Sequence, residues 1–287
     1  MLVDRIDLET RFLLAMNRID ALFTRLRSEG RRALMPFITA GDPDLAATAE
    51  LIPKLVRSGA HMLEIGIPYS DPIADGPVIS ASYTRALRHG VKLAAILEML
   101  AELRRPRTDA VDVPMVTMVS YAIVFRHGVE RYLKEAAEAG VDGLIVPDLP
   151  VEESGSLRQK MDNFDLKLIQ LVTPTTPRER ALRIARNTTG FLYYVSVAGI
   201  TGERTQLPPD LRDNVAWLRT QTDLPICIGF GISQPEHVRQ LAPVADGLIV
   251  GSALVRRLAE IDHRPTADVL EEVCAFVKEL RSALDAS

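Results

Sequence analysis

The sequence predicts an α/β fold, a (β/α)8 TIM barrel with an additional N-terminal helix, and three observations support this prediction. The chain has 287 residues, close to the roughly 250 of a typical barrel of this kind. Hydrophobic residues make up 47% of it, enough for a large core. Eight short apolar runs alternate with helix-like segments. We expect one domain over residues 1–287, with an N-terminal extension and helix over 1–31 and the barrel over 33–287.

The eight apolar runs are predicted to be parallel strands. Near-continuous hydrophobicity is typical of strands in a sheet whose two faces are both covered. The runs are ALMPFITA from Ala33, HMLEIGI from His61, VPMVTMVS from Val113, GLIVPD from Gly143, LKLIQLV from Leu166, FLYYVSVAG from Phe191, PICIGFG from Pro225 and GLIVG from Gly247.

The segments between the runs have helical patterns and matching end signals. Pro177 and Pro235 suit the first turn of a helix, whereas Gly59 and Gly140 suit helix ends. A doubly wound open sheet is the competing fold, but it would carry a glycine-rich phosphate loop after the first strand, where this chain has TAGDPD. The predicted helices include residues 45–58, 92–104, 129–139, 177–186 and 235–241.

Composition excludes several classes of function. The formal net charge of −4 gives no surplus of positive charge for nucleic acid or an anionic membrane. Cys227 and Cys274 form no metal or redox motif, and the five histidines lack metal-ligand spacing, so no metal site is expected. The N-terminus lacks the apolar core of a signal peptide, and no transmembrane helix is predicted. We therefore expect a soluble, cytoplasmic protein.

The stretch LEIGIPYSDPIADGP, residues 63–77, places Glu64 inside an apolar strand. Burying a lone carboxylate is costly. Glu64 is therefore either a solvent-facing or ion-paired structural residue, or an acid-base group at the carboxyl end of its strand, where barrel active sites lie. Asp71 and Asp75 follow in motifs that also form ordinary turns.

Glycines lie at the ends of the last three predicted strands, in AGITGER, GFGIS and GLIVGSAL. Glycine lets the backbone approach a ligand closely, and the loops after strands seven and eight are a common phosphate site of this fold. Gly231, Gly251 and Ser252 fit such a site. Each glycine alone could be a plain turn residue, but together they favour a phosphorylated substrate.

Six motifs occur in an order that resembles the α subunit of tryptophan synthase. They are PFITAGDPD, LEIGIPYSDPIADGP, DGLIVPDLPVEES, AGITG, GFGIS and GLIVGSA, and the resemblance runs from about Ile19 to the C-terminal helix. It implies a lyase that cleaves indole-3-glycerol phosphate to indole and glyceraldehyde 3-phosphate.

The resemblance also implies roles for individual residues. The catalytic group is Glu64, Asp75 and Tyr193. The phosphate-binding group is Gly202, Gly231, Gly251 and Ser252. The indole pocket is lined by Phe37, Val119, Ile145 and Phe230, and the lid contains Thr201.

In this interpretation Glu64 carries the proton and Asp75 holds the indole N–H. The family's usual partner is a β subunit that contains pyridoxal phosphate, so we expect an α2β2 complex and no cofactor in this chain. Pro68, Tyr69 and Asp71 match the loop that faces the partner.

Three other functions are weighed against this one. An isomerase or epimerase of a phosphorylated sugar would use the same phosphate site, but it needs a second base or a metal. A lyase that releases indole without a partner is the second. The third is a subunit that mainly activates its partner and turns over little substrate itself.

Overall fold

The computed structural model describes residues 16–72, 76–106, 108, 110–196, 210–229 and 231–287. In this part of the chain all paired strands are parallel, in the order β5-β4-β3-β2-β1-β9-β8-β7-β6. The strands are β1 Ala33–Thr39, β2 Leu63–Gly66, β3 Met115–Met118, β4 Gly143–Ile145, β5 Lys167–Ile169, β6 Leu171–Val172, β7 Leu192–Val195, β8 Ile226–Gly229 and β9 Gly247–Val250.

The sheet closes into a barrel at Gln170. The two ends of the strand order, β5 and β6, are separated in the chain by this residue alone, and its carbonyl accepts a hydrogen bond from the Tyr193 amide. The predicted fifth strand is therefore one barrel strand interrupted at Gln170. The predicted (β/α)8 barrel is confirmed.

Twelve α-helices are found among the described residues. They are α1 Arg18–Ser28, α2 Leu45–Arg57, α3 Pro77–Arg88, α4 Leu93–Arg104, α5 Tyr121–His127, α6 Val129–Glu138, α7 Val151–Asp162, α8 Arg178–Asn187, α9 Leu211–Arg219, α10 Pro235–Leu241, α11 Ser252–Leu258 and α12 Thr266–Asp285.

The predicted helix boundaries agree with these to within about one residue. Pro235 is in the first turn of α10, but Pro177 immediately precedes α8 as its cap. Gly59 and Gly140 follow their helices with φ of +102° and +76°. Helix α3 was not predicted. The assignment of residues 1–287 to one domain stays a prediction.

The core has two layers on the two sides of the barrel wall. Along β1, Met35 and Phe37 belong to an inner cluster inside the barrel, whereas Leu34 and Ile38 belong to an outer cluster between the strands and the helices. This alternation is what the two-residue period of a strand requires. A strand residue's position in this period therefore determines whether it can reach the barrel interior.

Helix α1 covers the amino-terminal end of the barrel. Ile19, Leu22, Phe23 and Leu26 are buried in the inner cluster. The side chain of Asn17 caps the helix at the Ile19 amide and also donates a hydrogen bond of 3.0 Å to the carbonyl of Asp142. Burying a large apolar side chain contributes ~1.5–3 kcal/mol, so α1 is held by its apolar face and leaves the carboxyl end as the mouth.

No helix in the described ranges is long and apolar enough to cross a membrane.

Candidate active site

Glu64 lies inside the barrel. Its neighbours in β2, Leu63 and Ile65, belong to the outer cluster, so the alternation of the strand directs Glu64 inward. In the register of the sheet Glu64 pairs with Phe37 on one side and Val116 on the other, and both are inner-cluster residues. Its exposed fraction is only 2%. A solvent-facing position for this carboxyl group is therefore excluded.

The thiol of Cys227 also lies inside the barrel. Cys227 is in the inner cluster, on β8. Burial raises the pKa of its thiol well above the ordinary value, and the carboxyl group of Glu64 is among the negative charges that raise it further. The two groups therefore share the barrel interior. Both free cysteines are buried.

Three of the other predicted site residues also line the interior. Phe37, Ile145 and Tyr193 are buried in the inner cluster. Tyr194, next to Tyr193, is in the outer cluster, as the strand period requires. The structure thus places three side chains that are distant in sequence on the same inner wall of the barrel as Glu64.

The β3 strand places Met118, rather than Val119, in the inner cluster. Val119 follows the strand and is buried in the outer cluster. Its assignment to the indole pocket came from the resemblance and stays a prediction. Met118 was missed, although its spacing of two from Val116 is a signal that it faces the same side.

Helix α3 lies over the mouth of the barrel. Its residues Ile79 and Tyr83 are buried in the inner cluster, and the Tyr83 ring packs against Tyr69 with centroids 5.5 Å apart. A Cβ added at Gly66 would lie 2.9 Å from the Tyr83 hydroxyl oxygen. Tyr83 therefore reaches the end of β2, two residues beyond Glu64, and is a mouth residue that the sequence analysis missed.

Two polar contacts fix α3 against the end of β1 and the loop that follows it. The Arg85 guanidinium donates to both carboxylate oxygens of Asp42, at 2.8 and 2.7 Å. The hydroxyl groups of Thr39 and Ser82 are 2.6 Å apart and buried. Burial raises the pKa of Asp42, and the hydrogen bonds and positive charge of Arg85 oppose this shift. The ion pair thus ties α3 to the loop after β1, and the hydroxyl pair ties it to the last residue of β1.

The predicted phosphate residues within the described ranges lie at the ends of β8 and β9. Gly231 has φ of +77°, a conformation that favours glycine. Gly251 caps α11, and Ser252 is the first residue of that helix. A Cβ added at Gly251 would be 3.5 Å from the Cβ of Phe37. Phe37 is therefore next to both Gly251 and Glu64, so the glycine loop and the acid share one mouth.

Four predicted site residues, Asp75, Thr201, Gly202 and Phe230, lie outside the described residues. Their roles stay predictions.

The loop predicted to face a partner has both buried and exposed residues. Pro68 is buried, Tyr69 is half-buried against Tyr83, and Asp71 is exposed with its carboxylate 2.7 Å from the Ser70 hydroxyl. Phe125, on α5, is 70% exposed. It was missed because its place in an apolar run favours a buried position.

No group of three or more histidine, cysteine, aspartate or glutamate side chains in the described part of the chain could hold a metal ion.

A buried carboxyl group in the mouth of a parallel β/α barrel, bordered by glycine loops, defines the molecule as an enzyme of the (β/α)8 barrel class. Comparison with known proteins gives the family. The family model described as tryptophan synthase alpha chain matches residues 23–285, and the chain belongs to that family.

Several relatives match nearly the whole chain. The tryptophan synthase alpha chain of Rhodopirellula baltica is 52% identical over 280 residues, which cover 95% of this chain and 100% of that protein. The corresponding protein of a Thermoanaerobacter species is 44% identical over 94% of this chain and 100% of its own length. A crystal structure of the subunit from Legionella pneumophila has a TM-score of 0.85 at 37% identity, covering 95% of this chain and 100% of that one.

The reaction of this family is the cleavage of indole-3-glycerol phosphate to indole and glyceraldehyde 3-phosphate in tryptophan biosynthesis. Family membership assigns the chain to this carbon–carbon lyase activity. The resemblance inferred from the six motifs is confirmed.

Proposed function

We propose that Glu64 is the acid-base group with which this chain cleaves indole-3-glycerol phosphate. The observation that carries the proposal is the placement of a 2%-exposed carboxyl group inside the barrel, between Phe37 and Val116 in the register of the sheet. Burial among apolar groups favours the protonated form of a carboxyl group, as proton delivery near neutral pH requires.

The reaction is a retro-aldol cleavage, and a single carboxyl group can serve both of its proton transfers. The bond between the indole ring carbon and the first side-chain carbon breaks. The ring carbon gains a proton, and the adjacent side-chain hydroxyl loses one as its carbon becomes the aldehyde. Glu64 is the group proposed to carry these protons, and Tyr193, which also belongs to the inner cluster, is the proposed second catalytic residue.

The remaining site residues orient the substrate. We propose that an ionised Asp75 accepts the indole N–H and stabilises the positive charge that develops on the protonated ring. Phe37, Val119, Ile145 and Phe230 are the proposed indole pocket. Gly202, Gly231, Gly251 and Ser252 are the proposed phosphate site, and Thr201 belongs to the lid.

We further propose a cytoplasmic α2β2 complex in which a β subunit holds pyridoxal phosphate and receives the indole. Two observations at the mouth support a partner there. Asp71 is exposed beside the half-buried Tyr69, and Phe125 leaves 70% of its surface exposed. An aromatic side chain with this exposure is a suitable anchor for a protein interface.

The decisive experiment replaces Glu64 with glutamine, which keeps the size of the side chain but cannot exchange the proton. We expect indole release from indole-3-glycerol phosphate to fall about 10²–10⁴-fold, while the variant stays folded and binds the substrate. Glu98→Gln makes the same chemical change at an exposed position on α4 and serves as the matched control. Near-normal turnover by Glu64→Gln contradicts the assignment.

Assays of the wild-type chain with and without a β subunit separate the competing functions. Slow cleavage alone that accelerates with the β subunit supports the proposed complex. Equal rates in both assays indicate a lyase that acts without a partner. Absence of cleavage, combined with activation of the β subunit, indicates a regulatory subunit. Isomerisation of a sugar phosphate indicates an isomerase or epimerase.

A further inference from the structure

His237 is a buried histidine beside the loop that joins β8 to α10, and no step of the proposed reaction uses it. It lies in the first turns of α10 and is 4% exposed. Its Nδ1 atom is 3.1 Å from the carbonyl oxygen of Gly231 and 3.3 Å from the amide nitrogen of Ser233. One ring nitrogen therefore faces two peptide groups of the same loop.

The two contacts use opposite roles of the nitrogen. When Nδ1 carries the proton, it donates to the Gly231 carbonyl, and when it does not, it accepts from the Ser233 amide. Either form gives a hydrogen bond to the loop. The ring itself is held in place because it is buried and because α10 begins at Pro235, whose φ is fixed.

Support from a side chain matters in this loop because the loop contains a conformationally free glycine. Gly231 has φ of +77°, and glycine loses more conformational freedom on folding than any other residue. An anion site made of peptide N–H groups works only if those groups are already oriented when the anion arrives. A side chain that holds either the 231 carbonyl or the 233 amide restricts the peptide groups between them.

We propose that His237 is a positioning residue for the phosphate-binding loop, and that it acts on recognition of the phosphate end of the substrate rather than on the indole end. The proposal rests on the proposed function, because it takes Gly231 as part of the phosphate site. His237 acts through the loop backbone and does not touch the substrate.

The test uses the reverse reaction, in which indole and glyceraldehyde 3-phosphate are separate substrates of the full chain. His237→Leu removes the polar contact and keeps an apolar side chain of comparable size. We expect its KM for glyceraldehyde 3-phosphate, relative to its KM for indole, to rise about tenfold. The inhibition constant of inorganic phosphate is expected to rise in parallel.

Two conservative variants distinguish positioning from packing. His237→Asn places an amide near the position of Nδ1 and is expected to restore most of the phosphate affinity, whereas His237→Gln reaches toward the position of Nε2 and is expected to restore less. His263→Leu, a change of the same kind at an exposed histidine, is the control. Thermal unfolding of each variant shows whether it is folded. If His237→Leu is not folded, the test is the comparison of phosphate affinity between His237→Asn and His237→Gln.

Unchanged KM values in His237→Leu, or an equal rise in both of them, overturn the proposal. Equal phosphate affinities of the Asn and Gln variants overturn it as well. If the wild-type chain has no lyase activity, the proposed function fails by itself. In that case, calorimetry measures the binding of inorganic phosphate to the wild type and to His237→Leu. Equal affinities overturn the positioning role of His237.

Discussion

Gly66→Ala tests how tightly the mouth of the barrel is packed next to Glu64. A Cβ at this position would lie 2.7 Å from the Cζ of Phe37 and 2.9 Å from the hydroxyl oxygen of Tyr83. Both side chains are buried, with exposures of 4% and 0%. The new methyl group therefore cannot be accommodated unless both of these side chains, or the backbone at residue 66, move.

The size of the effect follows from these distances. Ordinary van der Waals contact begins at 3.4 Å, so the end of the Phe37 ring must retreat by 3.4 − 2.7 = 0.7 Å. Overpacking of this kind costs about 1–3 kcal/mol of stability. Because Phe37 lines the proposed indole pocket and adjoins Gly251 of the proposed phosphate site, its movement disturbs both parts of the site. A misplacement approaching 1 Å can reduce catalysis by up to about 10²-fold.

Urea unfolding and the indole-release assay measure these two effects. Gly155→Ala is the matched control, since a Cβ there lies 3.8 Å from its nearest neighbour, within a helix where alanine is favoured by ~1 kcal/mol. We expect Gly66→Ala to lose stability and activity and Gly155→Ala to lose neither. In Gly66→Ala/Phe37→Leu the distal ring atoms are absent, so the stability penalty of the alanine should shrink. A Gly66→Ala protein with wild-type stability and KM refutes the packing argument.

Three further predictions concern other parts of the fold. Burial, with the positive charge of Arg281, lowers the pKa of His61 from 6.5 to about 3. Below pH 6.5 the unfolded chain therefore binds a proton that the folded chain does not bind. As the pH decreases from 6.5 to about 3, the free energy of unfolding falls by ~1.4 kcal/mol per pH unit. Urea unfolding at about pH 7 and pH 5 measures this decrease, which we expect in the wild type to exceed that in His61→Asn. Arg85→Met leaves the Asp42 carboxylate buried without its guanidinium, so we expect about 3 kcal/mol lower stability and partial recovery with Asp42→Asn. Phe23→Ala opens a cavity at the closed end of the barrel and should cost ~3–5 kcal/mol in chemical unfolding, while KM at permissive temperature stays as in wild type.

The order of strands and helices could be predicted from the sequence because local features determine it. Long apolar runs such as those at β1 and β8 suit strands covered on both faces, and Gly59 and Gly140 adopt positive φ after their helices. These preferences depend on the backbone and on neighbouring residues. They need no knowledge of which strands pair. The predicted helix boundaries agree closely with the structure, whereas predicted strand runs such as 113–120 extend beyond the observed strand Met115–Met118.

Helix α3 shows where local patterns are insufficient. Its segment PVISASYTRALR contains several hydroxyl residues, which weaken the apolar period that predicts a helix. Ser82 is nevertheless fully buried, because its hydroxyl pairs with that of Thr39 on β1. A polar residue can occupy a buried helix face only when a partner from elsewhere in the chain satisfies it. The sequence does not show that partner.

The sequence by itself determined the fold class, the acid at position 64 and the glycine-rich strand ends that favour a phosphate site. Only the tertiary structure decided that Glu64 is buried, that Met118 rather than Val119 faces the barrel interior, and that Tyr83 and Phe37 meet over Gly66. The reason is physical. Closure of the sheet at Gln170 brings together side chains from strands that are distant in sequence, and their burial and contacts depend on the register of those strands.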